Sequence, residues 1–174
     1  MIELLILNSI LKRELTMYGI SKHIEENFGA FTKPSFGAIK PALQRLEKGG
    51  FLTLRKMMSE GGRLSVFYTI TKTGREELVR LLLENLSENP LQFLSNAGVK
   101  LSCAAVLEKD ERKKLFFNMK TLAAIHKNET EKILNNEYNP LSFYQKIVLD
   151  NALCEYKNFI TIIEGLEKDN ARES

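Results

Sequence analysis

Apolar residues in the first fifty positions recur every three or four residues, the spacing of helices that bury one face. The spacing predicts a short helix over 2–11, a second over 17–28 and a third over 35–48. Thr16 and Ser35 stand where residues that cap helix N-termini are favoured, and a glycine pair closes the third helix. The inward positions predicted for the second helix are Tyr18, Ile20, Ile24 and Phe28.

The pattern then changes to strands. Segments 51–58 and 64–70 are rich in aromatic, β-branched and long apolar residues, and the intervening 59–63 has hairpin-turn composition. Another helix follows, with Thr73 and Glu76 at the spacing of a capping box. The order helix–helix–helix–hairpin–helix is that of a winged helix-turn-helix.

The chain after Pro90 contains only helical patterns, which predict helices over 91–107, 110–136 and 141–167. The last helix carries two adjacent apolar stripes, a face wider than its few neighbouring helices can cover. A second copy of the chain is therefore expected to cover part of it. The residues predicted to form this dimer contact are Leu115, Met119, Leu122, Val148, Ala152, Tyr156, Phe159 and Ile163.

These patterns predict a mainly α protein with two domains. Residues 1–88 are expected to form an N-terminal winged helix-turn-helix with a two-stranded wing. Residues 89–174 are expected to form a C-terminal all-helical dimerisation domain. Pro90 marks the boundary, because the chain after it has only helical patterns.

Positive charge is concentrated in one segment of the chain. The formal net charge is only +3, but residues 33–63 contain seven basic and two acidic side chains. A local basic block on a nearly neutral chain is typical of a module that binds a polyanion. A solvated basic surface is the alternative that charge alone leaves open.

The third predicted helix combines a core face with a face suited to DNA. Ile39, Leu43 and Leu46 share one side, which leaves polar and small residues on the other. Amide and basic side chains can reach base edges and phosphates, and the first amides of a helix can hold a phosphate oxygen. The predicted DNA-binding residues are Tyr18, Lys33, Ser35, Gly37, Lys40, Gln44, Arg45, Lys48 and, at the hairpin tip, Arg63.

Pro41 lies inside this helix, where proline costs about 3 kcal/mol. Its ring is directed at the carbonyl of Gly37, four residues earlier, where the missing side chain leaves room to adjust. One interpretation is that the first turn tilts and brings its backbone close to DNA. The other is a helix irregularity with no contact role.

No pattern indicates catalysis, a cofactor or a metal. The chain shows no nucleophile with a base at a familiar spacing, no phosphate-binding glycine loop and no ligand cluster. Cys103 and Cys154 lie in apolar helical segments and are expected to be small buried side chains. His126 lies on an apolar helix face, where a hydrogen-bonded core histidine is favoured over a ligand, and His23 lies on a polar face. We therefore expect no enzyme.

The start of the chain and its cysteine content favour a cytoplasmic protein without a membrane partner. Residues 1–11 are apolar but too short to span a bilayer. Glu3 occupies a position where a signal peptide carries positive charge. Two distant cysteines do not form a disulfide framework, as is usual in a reducing compartment.

Two segments resemble the PadR-type transcriptional regulators. They read YGISKHIEENFGAFTKPSFGAIKPALQRLEKGGFL and GGRLSVFYTITKTGREEL. The first resembles the family's Tyr-containing second helix and its recognition helix, Ser-x-Gly-x-Ile-Tyr-Pro-Ala-Leu-x-Arg-Leu-Glu. The second resembles its Gly-Arg wing ending in Tyr-x-Leu-Thr. The resemblance implies a homodimer of winged helices that usually represses transcription and is released by a small molecule or another signal.

Four departures from the family pattern concern the contact surfaces. Lys40 replaces an aromatic residue before the proline, and Thr32 stands where tryptophan is common. Met17 and Gly19 replace the usual glycine and acidic residue around the tyrosine. The wing continues with 64–66, Leu-Ser-Val, in place of the usual Pro-Arg-Lys. The operator, the effector and the wing contact are accordingly left open.

Three functions are compatible with these patterns. A dimeric repressor is favoured, and it predicts a pseudo-palindromic site with half-sites about one DNA turn, ~34 Å, or a multiple apart. A winged-helix module that binds an acidic protein is the second. A small-ligand carrier or enzyme that uses the helical half is the third. The aromatic residues that would line a ligand cleft, if they do not pack the core, are Phe28, Phe31, Phe93 and Phe116.

Overall fold

A computed structural model describes residues 1–58 and 64–172 of the chain. The described part is mainly helical with one small antiparallel sheet, which confirms the predicted class. No helix in it is long and apolar enough to cross a membrane. The elements are α1 (Ile2–Ser9), β1 (Leu15–Thr16), α2 (Met17–Phe28), α3 (Phe36–Lys48), β2 (Leu52–Met58), β3 (Leu64–Ile70), α4 (Lys72–Leu83), α5 (Pro90–Ser102), a 3₁₀ turn (Ala104–Val106), α6 (Lys109–Leu134) and α7 (Phe143–Arg172).

The chain divides into two compact units. The N-terminal unit comprises Met1–Glu84 and Gly98–Val106, and the C-terminal unit comprises Asn85–Ala97 and Leu107–Ser174. The end of α5 and the 3₁₀ turn therefore belong to the N-terminal unit, although they follow the predicted boundary in sequence. The assignment of function to 1–88 and 89–174 stays a prediction.

The core of the N-terminal unit is built around α1, which packs against α2, α3 and α4. Its residues Leu4 to Leu7 are all buried, and Ile10 follows them into the core. A helix that is apolar on every side requires neighbours on every side, and α1 has three. The helix ends at Ser9, two residues before the predicted end.

The second helix begins and ends as predicted. Thr16 is its N-cap, and its Oγ1 accepts a hydrogen bond of 3.1 Å from the amide of Gly19. Ile20, Ile24 and Phe28 are buried. The inward assignment of Tyr18 is wrong, because its side chain is 69% exposed. Tyr18 lies in the first turn of α2, whereas the buried stripe of this helix begins at Ile20.

The sheet has three strands, in the order β1-β3-β2, whereas the sequence predicts two. β2 and β3 form the predicted antiparallel hairpin, with Leu52 opposite Ile70 and Met58 opposite Leu64. β1 pairs with the other edge of β3. A strand of two residues is too short to show a periodic pattern, so β1 can be recognised only from its pairing with β3. The predicted turn at 59–63 lies outside the described residues.

The fourth helix is capped by Thr71, and the predicted capping box at Thr73 is wrong. Thr71 Oγ1 accepts from the amide of Gly74 at 2.9 Å and donates to the carbonyl of Gly50 at 2.8 Å. Thr73 Oγ1 donates to the same carbonyl at 3.0 Å. Gly50 has a φ of +72°, a backbone conformation that favours glycine. Both threonines thus fasten α4 to the turn after α3.

The C-terminal unit is dominated by α6 and α7, which pack along each other. Glu108 and Glu111 form a capping box at the start of α6. At the far end of α7, Asn170 accepts from Arg112 Nε at 2.7 Å and donates to the carbonyl of Lys109 at 3.1 Å. These bonds hold a last turn and a half that the sequence pattern, ending at 167, does not predict.

The residues predicted to form the dimer contact have several different environments. Leu115, Met119, Tyr156 and Ile163 are buried inside the C-terminal unit, where they pack the chain's own helices. Leu122, Ala152 and Phe159 are half-buried. Val148 is 67% exposed. Only the exposed and half-buried members are on the surface of the single chain, and their role in dimerisation stays a prediction.

Candidate nucleic-acid interface

The two sides of α3 differ as its sequence predicts. Ile39, Ala42, Leu43 and Leu46 are buried against the unit's core. The opposite side is exposed and includes none of the apolar core positions. Its residues are Gly37, Lys40, Pro41, Gln44, Arg45 and Lys48.

Two lysines on this exposed side carry uncompensated charge. Lys40 and Lys48 form no ion pair with any residue that the structure describes. Arg45 differs, because its Nε donates to Glu3 Oε1 of α1 at 2.7 Å. The structure therefore divides the predicted basic residues of α3 into two free cations and one that a carboxylate orients.

The N-terminal ends of α2 and α3 present positive potential. Neither helix has an acidic residue in its first turn. Ser35 is the N-cap of α3, but its side chain makes no capping hydrogen bond, so its hydroxyl is left for another acceptor or donor. Among the described residues, a methyl group at Gly37 would meet only Ser35 Oγ, at 3.6 Å, so the surface here is open. Helix amides with this exposure suit a phosphate oxygen.

Pro41 does not interrupt α3, which runs from Phe36 to Lys48. Proline has no amide hydrogen, so the carbonyl of Gly37 lacks its usual helical donor. Both residues are exposed, and water or a ligand can reach that carbonyl. The predicted tilt of the first turn stays a prediction.

Tyr18 and Lys33 are exposed as a DNA contact requires. Lys33 lies 3.8 Å from Glu25 Oε1, and both side chains are about 70% exposed. Such a solvated pair contributes little energy, so a phosphate can compete for the lysine. The DNA contacts assigned to both residues stay predictions.

The wing supplies basic residues that the predicted set omits. Arg63, which that set includes, lies outside the described residues. Arg55 and Lys56 of β2 are both exposed. The Arg55 guanidinium pairs with Glu14 and lies 5.6 Å above the ring of Phe67, whereas Lys56 has no ion-pair partner among the described residues. Adjacent basic residues just before a hairpin turn are the sequence signal that points to them.

A second feature of the N-terminal unit is a pocket of about 710 Å³ beside His23. His23 Nδ1 and Ser9 Oγ are 3.1 Å apart, and Ser9 Oγ donates to the carbonyl of Leu5 at 2.7 Å. Burial lowers the pKa of His23, and the nearby Arg13 lowers it further. The lowered pKa favours the neutral imidazole. Because the Ser9 hydroxyl already donates to Leu5, Nδ1–H of His23 is the donor to Ser9 Oγ. The polar sequence environment of His23 does not reveal this structural role.

The cysteines differ from each other. Cys103 is buried, and burial raises the pKa of its thiol to about 12, which makes it a poor nucleophile and metal ligand. Cys154 is exposed, so its predicted burial is wrong. Cys154 lies on the side of α7 opposite its two adjacent apolar stripes. Among the described residues, no group of three or more His, Cys, Asp or Glu is arranged to hold a metal ion.

His126 is buried as predicted but lacks the predicted hydrogen bond. Neither ring nitrogen has a hydrogen-bond partner in the described part of the chain. Three of the four aromatic residues considered for a ligand cleft are core residues, namely Phe28, Phe93 and Phe116. Phe31 is 40% exposed.

Comparison with known proteins identifies related sequences and structures. Residues 6–80 match the model of the family described as "Transcriptional regulator PadR-like family", as the sequence pattern predicts. A curated protein of Bacillus subtilis (strain 168), "Negative transcriptional regulator PadR", is 25% identical over 168 residues, 92% of each chain. Bacillus subtilis PadR in complex with operator DNA is similar at 23% identity and a TM-score of 0.44, over 97% of this chain and 98% of that chain. The same protein in complex with p-coumaric acid is similar at 23% identity and a TM-score of 0.39, over 98% and 95%.

Proposed function

With residues 6–80 belonging to the PadR-like family of transcriptional regulators, we propose that the chain is a homodimeric repressor that a small molecule releases from DNA. The observation that carries the proposal is the exposed side of α3, on which the side chains of Lys40, Gln44 and Lys48 have no hydrogen-bond or ion-pair partner among the described residues. The opposite side of α3 is buried in the core, so packing fixes which side of the helix can face a partner.

Each residue type on α3 has a chemical role toward duplex DNA. Gln44 can pair with adenine in the major groove, and Lys40 can bind guanine or a phosphate. Lys48 contacts a phosphate, as does Ser35 together with the first amides of the helix. Phosphate contacts set register and affinity, whereas Gln44 contributes sequence preference.

Exposed apolar residues of α7 support a dimer. Phe143, Tyr144, Ile147 and Val148 are all at least half exposed and lie within two turns. A cavity of about 560 Å³ lies beside Tyr144 and Val148. An apolar surface of this kind is typical of an interface. Two copies related by a twofold axis would present two α3 helices to a pseudo-palindromic operator.

The names of related proteins support repression and release. The Bacillus subtilis relative is called a negative regulator, and its structures contain operator DNA in one case and p-coumaric acid in another. In this chain, an effector would favour a dimer whose α3 helices no longer match the half-site spacing. The relatives are described as regulators, not as enzymes.

Selection of bound sequences from random duplex DNA, followed by salt titration, tests the proposal. Lys48→Ala should reduce the slope of log affinity against log salt by about 1 per subunit, and so by about 2 for the dimer, on any sequence, because each half-site loses one phosphate contact. Gln44→Ala should leave the slope unchanged and relax preference at one base pair of each half-site by about 1–3 kcal/mol.

Lys168→Ala is the matched control, since Lys168 is an exposed lysine of α7 with no described ion pair. It should change neither slope nor preference. If the selection yields no competitor-resistant site, or if both α3 variants behave like the control, α3 is not the DNA-reading element.

A further inference from the structure

The C-terminal unit contains a cavity of about 530 Å³ lined by α5, α6 and α7. This volume is in the range of small-molecule sites in proteins. Its wall is largely apolar, formed by Leu91, Leu94, Ile133, Leu149 and Ala152. An organic group therefore fits it better than an inorganic ion.

A buried imidazole with unmet hydrogen-bonding capacity lines this cavity. His126 is 3% exposed, and neither Nδ1 nor Nε2 has a hydrogen-bond partner among the described residues. The nearest carboxylate oxygen, Glu129 Oε2, is 3.6 Å from Nδ1, beyond hydrogen-bond length. The rings of Phe93 and Tyr156, with centroids 5.1 and 5.5 Å away, hold the imidazole in place. Because a buried polar group without a partner costs about 1–3 kcal/mol, this arrangement points to a partner that the chain does not supply.

The charge of the cavity is negative. Glu129 and Glu155 line it, whereas no lysine or arginine is among the described residues of its wall. Glu155 accepts from Asn151 at 3.0 Å, and no described lysine or arginine pairs with either carboxylate. Burial and then the charges of Glu155 and Glu129 raise the pKa of the Tyr156 phenol, so the field of both carboxylates reaches this wall. Such a field attracts a cation and repels a carboxylate.

We propose that this cavity binds a small organic cation in which a protonated amine is attached to an aromatic or branched apolar body. The ammonium group pairs with Glu129 and Glu155 and donates to a ring nitrogen of His126. The apolar body packs against the leucine and isoleucine side chains of the wall. Use of this ligand as the effector rests on the proposed repressor function, but its binding does not.

Three probes of matched shape and different charge test the ligand class on the full-length protein without DNA. They are 2-phenylethylammonium, 2-phenylethanol and 3-phenylpropionate. The chain has two histidines, so long-range ¹H–¹⁵N spectra of the labelled protein report on His126 with His23 as an internal reference. At about 1 mM, the ammonium probe should shift the His126 ring signals and leave those of His23 unchanged. The other two probes should bind at least about tenfold more weakly.

Variants of α7 test the contribution of the carboxylates. Glu155→Gln should weaken binding of the ammonium probe about tenfold. Glu164→Gln, at an exposed position of α7 outside the cavity, should leave binding unchanged. The proposal is overturned if no probe shifts His126, if 3-phenylpropionate binds as tightly as the ammonium, or if the two variants bind the ammonium equally. Because no DNA is present, failure of operator binding does not affect this result.

Discussion

Single glycines set how closely other groups approach the N-terminal unit. Gly37 lies in the first turn of α3 with open space around it, whereas Gly74 lies against the backbone of Phe51. The same substitution, glycine to alanine, therefore has opposite physical consequences at the two positions. At Gly37 it affects what can approach from outside, and at Gly74 it affects packing within the unit.

Gly37→Ala should separate folding from DNA binding. A methyl group here contacts only Ser35 Oγ, so the added helix propensity should stabilise the protein by roughly 0.5 kcal/mol. If the backbone of this turn approaches a phosphate closely, the methyl group should weaken operator binding about tenfold. Urea unfolding and fluorescence anisotropy measure the two effects. Unchanged affinity would show that the first turn does not approach DNA.

Gly74→Ala should destabilise the fold. A Cβ at this position would lie 1.9 Å from the carbonyl oxygen of Phe51, which accepts from the amide of Thr71. Relief of the clash requires movement of backbone that joins α3, β2 and α4, at a cost of about 3 kcal/mol. Gly165→Ala is the control, since no atom of the described residues that could obstruct its added methyl lies within 4 Å. The control should gain up to about 1 kcal/mol in urea unfolding; equal behaviour of the two variants would contradict this packing.

At the level of elements, α1 contributes to the charge of α3. The Glu3 carboxylate of α1 holds the Arg45 guanidinium of α3 at 2.7 Å, and both side chains are partly exposed. The pair contributes little to stability because solvent screens it. Its larger effect is on the position of the Arg45 guanidinium, which the Glu3 carboxylate holds beside α1.

Glu3→Gln should strengthen DNA binding by releasing the Arg45 guanidinium to contact a phosphate. A gain of about threefold at low salt is expected, and it should shrink as salt screens the charge. The measurement is a double-mutant cycle with Arg45→Ala, in which the gain should disappear. A gain that persists without the arginine would show that Glu3 acts through general repulsion of DNA.

At the scale of the whole molecule, the proposed repressor needs a second copy of the chain to place two α3 helices on one operator. Val148 is the exposed member of the predicted dimer contact, and it lies beside the other exposed apolar residues of α7. Burial of such a surface is the main source of free energy in most associations. The apparent affinity for DNA should therefore depend on protein concentration through the monomer–dimer equilibrium.

Val148→Glu should weaken dimerisation by tenfold or more, because a carboxylate in an apolar interface loses its hydration without gaining a partner. Sedimentation equilibrium measures the dissociation constant, and operator binding should weaken in parallel. Asn158→Glu places the same charge at an exposed position further along α7 and should have little effect. A dimer that tolerates Val148→Glu would locate the interface elsewhere.

The amino-acid pattern alone determined which segments are helical, which two strands pair as a hairpin and which side of α3 faces solvent, although α5 ends at Ser102 and not at the predicted 107. Ile39, Leu43 and Leu46 recur at helical spacing, and burial of apolar side chains then forces the opposite side, with Lys40, Gln44 and Lys48, toward solvent. The strand composition of 64–70 and the basic block at 33–63 have the same local origin. These features depend on near neighbours in sequence, which is why periodicity reports them.

Tertiary structure decided the features that depend on contacts between distant residues. The two-residue strand β1 exists only because β3 offers an edge, and Thr71 caps α4 while it also binds the carbonyl of Gly50. The pairing of Arg45 with Glu3 joins residues 42 positions apart. His126 was placed in the core by periodicity, but its lack of a hydrogen-bond partner follows from which side chains the other helices bring to it. Spacing along a chain fixes which side of an element is apolar, whereas the partner of each polar atom depends on how the elements pack.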